Sequence, residues 1–408
     1  MLSVEEALAL VAQHARPLAP RRVALGEAAG LVLAEDVTSE VNSPPYDKSM
    51  MDGYAVRSGD SMPERNVLEE IGAGSVPRHA VTPGTAIRIM TGAPLPEGAD
   101  AVVPIEQTEM VGGDTVRLDR IDVPAGQNIM PLGASVRAGD VVLRNGAVIR
   151  PIEIAILAEI GHGVVVARPR PRLAILPTGN ELVAAGEKPG QGQIRNSNGP
   201  MLLAAASHCG AEALALGIAR DDREQLARWI EHGLAADVLV LSGGVSAGDY
   251  DLVPDVLAEL GVEKVFHKVA LRPGKPLWFG VKEDGERRVL VFGLPGNPVS
   301  SFVCFELFVR PAIAALSGRG FPPPHTFAAR LSHEFNHKGG RACCLPARLS
   351  PAGGSDSQLS GEPPADVAIL PWHGSADLAT LARANALARF GAAPMRLQAG
   401  ALVNVIPI

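Results

Sequence analysis

Three glycine-bearing stretches, PTGNEL (177–182), SGGVSAGDYD (242–251) and GLPGNPVS (293–300), each follow an apolar, strand-like run. In an open α/β sheet, loops leaving the carboxyl ends of separate strands face one crevice, so these stretches can meet at a single site. The third adds a helix start, with Pro298 at the first helical position. Free amides and the helix dipole there favour a phosphate or oxyanion. A fourth stretch, HKVALRPGKP (267–276), supplies Lys268, Arg272 and Lys275, cations suited to clamping phosphates. Gly243 and Gly244 look built to let backbone amides approach an anion, yet Asp249 and Asp251 in the same loop would repel one. Neither G-x-x-x-x-G-K-[ST] nor G-x-G-x-x-G after a strand occurs, which speaks against a P-loop kinase and an ordinary dehydrogenase. HEFNH, His333 to His337, matches a zinc-protease signature, but glycines follow at once and the preceding FAARLS reads as strand, so the required helix is missing. The adjacent Cys343 and Cys344 read as buried packing.

The elements that must position these loops follow from periodicity. From about residue 170, RLAIL, EALALGIA, DVLVL and VLVFGL read as strands. GPMLLAAASHC, DREQLARWIEHGLA, LVPDVLAEL and a long stretch from Pro298 to Ala315 read as helices. This alternation predicts a parallel, doubly wound sheet covered on both faces. Residues from about 21 to 150 are rich in Gly, Pro and short β-like runs, which suggest small barrel-like or irregular β units. PIEIAILAEIG reads as a helix between Pro151 and Gly161. The first residues, MLSVEEALALVAQHA, form an amphipathic helix with Ser3 and Glu6 spaced as a capping box, not a signal peptide. From about 320 the pattern is β-rich again, broken by PAGGSDSQLSGEPPAD, which reads as an exposed loop.

Composition bounds the function. The chain has 408 residues, 47% hydrophobic and 20% charged, as in a soluble globular protein of several domains. Its net charge of −7 argues against nucleic acid or an anionic membrane as main partner. Aromatics are 4%, so cores must rest on Ala, Val, Leu and Ile. Cys209, Cys304, Cys343 and Cys344 show no disulfide framework, which suits the cytoplasm. The longest apolar candidate, Phe302–Leu316, is interrupted by Glu306 and Arg310, so no membrane span is expected.

PPYDKSMMDGYAV (44–56), IMTGAPLPEGADAVVP (89–104), PTGNEL, GQIRNSNGPML, SGGVSAGDYD, RPGKP and GLPGNPVSSF occur in that order, and together they resemble the MoeA family of molybdopterin molybdenumtransferases, related to the gephyrin E domain. GSADLATLARANAL resembles the family's last domain more loosely. The resemblance implies four parts: an elongated linking domain (1–43 and 136–169), a small β-rich domain (44–135), an α/β molybdopterin-binding-like domain (170–318) and a C-terminal β-rich domain (319–408). It implies a homodimer whose cleft is shared between subunits, and a reaction that takes molybdate and adenylylated molybdopterin, with a divalent cation, to molybdenum cofactor and AMP. A molybdopterin adenylyltransferase becomes an implied partner. Carried over by motif, the catalytic set is Asp52, Thr91, Glu181, Asp221, Asp251, Lys268, Arg272 and Lys275. The expected ligand-binding set is Gly243, Gly244, Ser246, Gly274, Pro295, Gly296, Asn297, Pro298 and Asn198. Asp249, Asp251 or Glu181 would hold Mg2+ against the substrate phosphates, which reconciles the aspartates with an anionic ligand.

Three sites depart from the family pattern. Ala134 and Ser135 stand where acids are expected, and Asn180 and Asn196 replace aspartates. Peripheral drift accounts for them; the sharper alternatives are altered metal or oxyanion handling, including a tungsten-inserting paralogue, or a non-catalytic molybdopterin carrier or scaffold. A pyrophosphatase or deamidase on a related domain is opposed by the MDGYA and MTGAP segments.

Overall fold

The computed structural model describes residues 1–245, 252–285, 287–351 and 365–408. It divides into two compact units, one of Arg22–Ala167 and one of Met1–Arg21 with Arg168–Ile408.

In the larger unit a six-stranded sheet runs in the order Glu212–Ala215, Arg172–Pro177, Val238–Ser242, Arg287–Leu294, Trp278–Asp284, Glu263–His267. The first four strands are parallel. Successive side chains on a strand face opposite ways, and the two faces build two cores. Leu173, Ile175, Val238, Val240, Leu290 and Phe292 enter one; Ala174, Leu176, Leu239, Leu241, Val289 and Val291 enter the other. Leu202 and Ala206 of the Asn198–His208 helix cover the first face. Leu226 and Ile230 of the Arg223–Gly233 helix, with Leu257 of Val253–Glu259, cover the second. The doubly wound expectation therefore holds, but the sheet is mixed, not wholly parallel. Trp278–Asp284 runs antiparallel to both neighbours. Only two residues separate it from Arg287, too few for a crossover connection, so the two strands close as a hairpin. Aromatic packing is also more concentrated than the composition suggests: Phe279 sits 5.5 Å from Phe266 and 4.9 Å from Phe292, centroid to centroid.

The Val4–His14 helix begins with the anticipated capping box, the Glu6 amide donating to Ser3 Oγ (3.1 Å) and the Ser3 amide to Glu6 Oε2 (2.8 Å). Its apolar face, Val4, Ala7 and Val11, packs in the sheet core with Leu173 and Phe305. Residues Met1–Arg21 belong to the larger unit.

Pro298–Leu316 forms one helix of 19 residues, apolar and long enough to cross a membrane by length and composition alone. Here it is a core helix, with Val299, Val303, Phe305, Phe308 and Ile313 buried in the sheet core. Pro311 lacks an amide to donate to the preceding turn, and a π-helical turn at Phe305–Val309 precedes it. That turn buries Glu306, which accepts from Arg310 Nε (2.6 Å) and Nη2 (2.8 Å). Beyond the helix, Ala342–Pro351, Ala365–Ile369, Phe327–Leu331, Leu402–Pro407 and Ala386–Phe390 pair in sequence and close back on Ala342–Pro351 as a five-stranded barrel. Leu271–Arg272 adds to the Ala342–Cys343 edge and joins the cation-bearing segment to this barrel. Phe335–His337 is a strand paired with Met395–Leu397, so His333 and His337 share no helix face.

In the smaller unit, Gly53–Val56 is buried along its whole length between Ala101–Pro104 and Thr85–Ile89 in a six-stranded mixed sheet. A Cβ at Gly53 would lie 2.0 Å from the Val103 carbonyl oxygen, so MDGYA requires glycine there. The Pro151–Glu159 helix packs Leu157 on Leu33, Ile149 and Val165 in a separate core.

Candidate functional site

A cavity of about 540 Å³ opens at the carboxyl ends of the parallel strands. Pro177 and Thr178, Ser242 and Gly243, and Gly296 to Pro298 line it, with Glu181, Arg195 and Asn198. Asn198 ties the loops together from the start of its helix. Its Nδ2 donates to Ser242 Oγ (2.8 Å) and to the Gly296 carbonyl (2.7 Å). A carbonyl only accepts, which fixes the amide's orientation and leaves Asn198 Oδ1 buried without a partner among the described residues. Thr178 Oγ1 is likewise buried and unpartnered among the described residues. Buried polar atoms are normally satisfied, so both mark a wall suited to a ligand that carries donors.

Asn180 and Asn196, which replace the family's aspartates, take structural roles. The Asp221 amide donates to Asn180 Oδ1 (3.1 Å), and the Asn180 amide returns a bond to Asp221 Oδ2 (3.3 Å). Arg220 clasps the same loop through the Asn180 and Leu182 carbonyls (2.7 and 3.0 Å). Glu181 and Asp221 are thereby joined on one small assembly. Asn196 Oδ1 accepts from the Gly199 amide (2.9 Å) at the start of the Asn198–His208 helix, a bond an aspartate would make equally. Ala134 and Ser135 lie exposed on a turn in the smaller unit, the Ser135 amide donating to Ser43.

The loop glycines have reasons other than those expected. Gly243 (φ +97°) and Gly244 (φ +62°) lie in the left-handed region, and their Cβ atoms would meet the Thr178 carbonyl oxygen at 2.5 Å and Thr178 Oγ1 at 2.8 Å. They serve close packing of two loops. Gly296 is different: among the described residues a Cβ there meets only Gly243 Cα, at 3.7 Å, so they leave room that a ligand can use.

A second cavity, of about 350 Å³, adjoins the first and shares Asn297 with it. Arg272, Gly274, Lys275, Pro295, Ser300, Arg341, Trp372 and Ser375 line it. Gly274 (φ +129°) is held tightly, its Cβ position 2.8 Å from Cys304 Sγ. Ser375 locks the barrel side to the helix start: Asn297 Nδ2 donates to Ser375 Oγ (2.9 Å) and the Val299 amide to the Ser375 carbonyl (3.0 Å). Lys268 is half-buried with φ +75°, a strained conformation for a lysine and one that clusters at functional sites. Its backbone is fixed by a bond from its amide to the Leu277 carbonyl (2.9 Å). Burial pushes the Cys344 thiol up to about 12, so it stays protonated and inert.

Asp52 and Thr91, 39 residues apart, meet in the smaller unit. The Thr91 hydroxyl and amide both donate to Asp52 Oδ1 (2.6 and 2.7 Å). These bonds, the hydroxyl first, hold the Asp52 carboxyl below the usual aspartate value. Of the anticipated set, Ser246, Asp249 and Asp251 lie outside the described residues. Thr178, Arg195, Arg220, Arg341, Trp372 and Ser375 were not anticipated. For Ser375 the GSADL resemblance was a usable signal; Arg341 and Trp372 lie in stretches without a local pattern.

An α/β layer with loops converging at its strand ends is the architecture of a ligand-binding α/β domain, and here Arg341, at the start of the Ala342–Pro351 barrel strand, borders the second cavity. A model of the MoeA N-terminal region (domain I and II) matches residues 2–161, and one of a probable molybdopterin binding domain matches residues 174–315. The molybdopterin molybdenumtransferase of Staphylococcus aureus is 37% identical over 343 residues, covering 82% of this chain and 80% of the relative. That of Staphylococcus epidermidis is 33% identical over 417 residues, covering 99% and 95%. The crystal structure of the molybdopterin biosynthesis MoeA protein from Pyrococcus horikoshii superposes with a TM-score of 0.79 at 29% identity over 100% of both chains. The chain belongs to the MoeA family of molybdopterin molybdenumtransferases.

Proposed function

We propose that the protein inserts molybdenum from molybdate into adenylylated molybdopterin with release of AMP, a step of molybdenum cofactor biosynthesis. The observation that carries this reading is the juncture of the two cavities at Asn297: one offers buried hydrogen-bond acceptors, the other three cationic side chains. A pterin with amide and amino donors suits the first, and phosphate and molybdate oxyanions suit Arg272, Lys275 and Arg341 in the second. Relatives named as transferases cover 99% of the chain, which favours an enzyme over a carrier.

The described residues fit a divalent cation of the Mg2+ type in part. Among them no group of three or more His, Cys, Asp or Glu side chains stands ready to hold a metal. Glu181 lines the cavity, and its carboxylate makes no hydrogen bond or ion pair with any described residue. Mg2+ commonly uses one or two carboxylates and completes its shell with water and substrate phosphates, so Glu181, with Asp221 on the same assembly, would hold it. Asp249 and Asp251 remain proposed ligands. When bound, the ion would polarise the phosphoanhydride. Lys268, Arg272 and Lys275 neutralise charge on the phosphates, Asn198 and Thr178 orient the pterin, and Asp52 with Thr91 completes the catalytic set.

We further propose a homodimer with a shared cleft. The Pro151–Glu159 helix supports it, being apolar around most of its circumference and exposing Ile152 (72%). The four free cysteines support a cytoplasmic location, and a molybdopterin adenylyltransferase would supply the substrate. We propose four parts, 1–43 with 136–169, 44–135, 170–318 and 319–408. Purified protein given adenylylated molybdopterin, molybdate and Mg2+ should release AMP and activate an apo-molybdoenzyme; pterin binding without AMP release would refute the enzymatic reading.

A further inference from the structure

The Glu181 carboxylate has no partner among the described residues, yet one side chain fixes the chain on both sides of it. Arg220 Nη1 donates to the carbonyls of Asn180 (2.7 Å) and Leu182 (3.0 Å), the residues immediately before and after Glu181. That nitrogen carries two hydrogens, and both go to the peptides flanking Glu181. Among the described residues the half-buried Arg220 makes no ion pair, so its bonds serve the backbone and leave the carboxylate free. Arg220 is itself held. Its amide donates to Gln225 Oε1 (2.8 Å) on the helix that Asp222 caps. The preceding Ala219 is buried; its amide donates to the Pro177 carbonyl (2.9 Å) and its carbonyl accepts from the Gly179 amide (3.0 Å). The clamp therefore ties the turn that carries Glu181 to the end of the Arg172–Pro177 strand. Gly179 makes room for the result: a Cβ there would lie 2.4 Å from Glu181 Oε2 and 2.7 Å from Oε1. The carboxylate thus folds back over the glycine. Asp221 follows Arg220 directly and its amide donates to Asn180 Oδ1, so a shift of the clamp would move both carboxylates.

We infer that Arg220 is a positioning residue: by clamping the peptides on either side of Glu181 it presents the Glu181 and Asp221 carboxylates as a preformed pair to a divalent cation. This assignment rests on the proposed function, in which those carboxylates would hold Mg2+, and deepens it. Arg220 acts through the backbone of the carboxylate-bearing turn and touches neither the ion nor the substrate. Hydrogen bonds one step behind the ligating groups set their orientation, and a turn left free would lose conformational entropy each time an ion bound. The direction of the effect separates position from charge. Removing a positive charge from the neighbourhood of two carboxylates would by itself strengthen cation binding, so weaker binding without Arg220 has to come from lost geometry.

Mn2+ is the probe, its binding to the full-length protein read from loss of the free-ion electron paramagnetic resonance signal, with no substrate present. Arg220→Met keeps the bulk of the side chain but no donor, and should raise the Kd for Mn2+ about 10- to 100-fold. Arg220→Lys, whose single nitrogen can donate to both carbonyls, should recover most of the affinity. Gly179→Ala, which crowds the Glu181 carboxylate while leaving the Arg220 bonds in place, should also weaken Mn2+ binding. Native Mn2+ affinity in Arg220→Met, no recovery in Arg220→Lys, or no Mn2+ binding by the native protein would overturn the assignment. If Arg220→Met does not fold by thermal melting, Arg220→Gln, too short to reach both carbonyls, serves instead: a loss of about tenfold or more supports the clamp, and a smaller one overturns it. Molybdate-dependent AMP release with Mn2+ affinity indifferent to Arg220 overturns this inference alone; Mn2+ binding that depends on Arg220 in a protein that releases no AMP overturns the reaction alone.

Discussion

Asp52 holds a proton less readily than an ordinary aspartate because the Thr91 hydroxyl and amide both donate to one of its oxygens. Thr91→Val deletes the larger of these contributions, so the carboxyl should titrate at higher pH. If ionised Asp52 is needed, the acid limb of the pH–rate profile moves up with it; an unmoved limb would remove Asp52 from the catalytic set. Glycines separate packing from binding at the same scale. Gly243→Ala forces a side chain into the left-handed region and within 2.5 Å of the Thr178 carbonyl oxygen, and should cost about 1–3 kcal/mol in urea unfolding. Gly296→Ala meets only ordinary contact at 3.7 Å. It should leave the unfolding midpoint nearly unchanged while weakening substrate binding, and equal destabilisation by both changes would refute the distinction. Sequence identified these glycines as special, but not why, since the reason lies in Thr178 on a loop 65 residues away.

Among the elements, the Leu378–Arg383 helix depends on one carboxylate. Asp377 caps it and also receives the His373 amide, and these bonds hold its carboxyl well below the usual range. A depressed carboxyl stabilises the fold above its unfolded value near 3.8, and that contribution fades as pH falls through the lower folded value. Asp377→Ala should therefore lower Tm at pH 7, with the difference from the native protein shrinking as the pH is taken below about 4. A difference independent of pH would contradict the assignment. The strand–loop–helix alternation from residue 170 was legible because apolar runs and caps are local signals. The antiparallel hairpin was equally written in its two-residue connection, but the reading followed the alternation instead. Barrel closure was not legible. It depends on Ala342–Pro351 pairing along both edges with strands reached only after intervening segments. Arg341 and Trp372 reach the site by that route, so no local pattern announced them.

At the scale of the molecule, the proposed homodimer gives the exposed apolar surface around Ile152 a covering partner. Ile152→Glu should convert the dimer to monomer in sedimentation velocity without lowering the monomer's Tm; a dimer that persists would place the interface elsewhere. The first helix shows how a distant element supports the site. The Leu2 carbonyl accepts from the Ala270 amide (2.7 Å), between Lys268 and Arg272, so the start of the chain braces the cation-bearing segment. The sequence motifs named the family's site residues but not which of them share a wall; Asn198, bonded to Ser242 and Gly296, makes that connection. The central claim is that these joined cavities perform molybdate-dependent cleavage of adenylylated molybdopterin. Its most direct test is single-turnover AMP release by the full-length protein with Mg2+, with and without molybdate, beside Glu181→Gln and Lys275→Ala. The account predicts release that requires molybdate and falls at least tenfold in each variant. Release at the native rate in both variants, or none from the native protein, would contradict it.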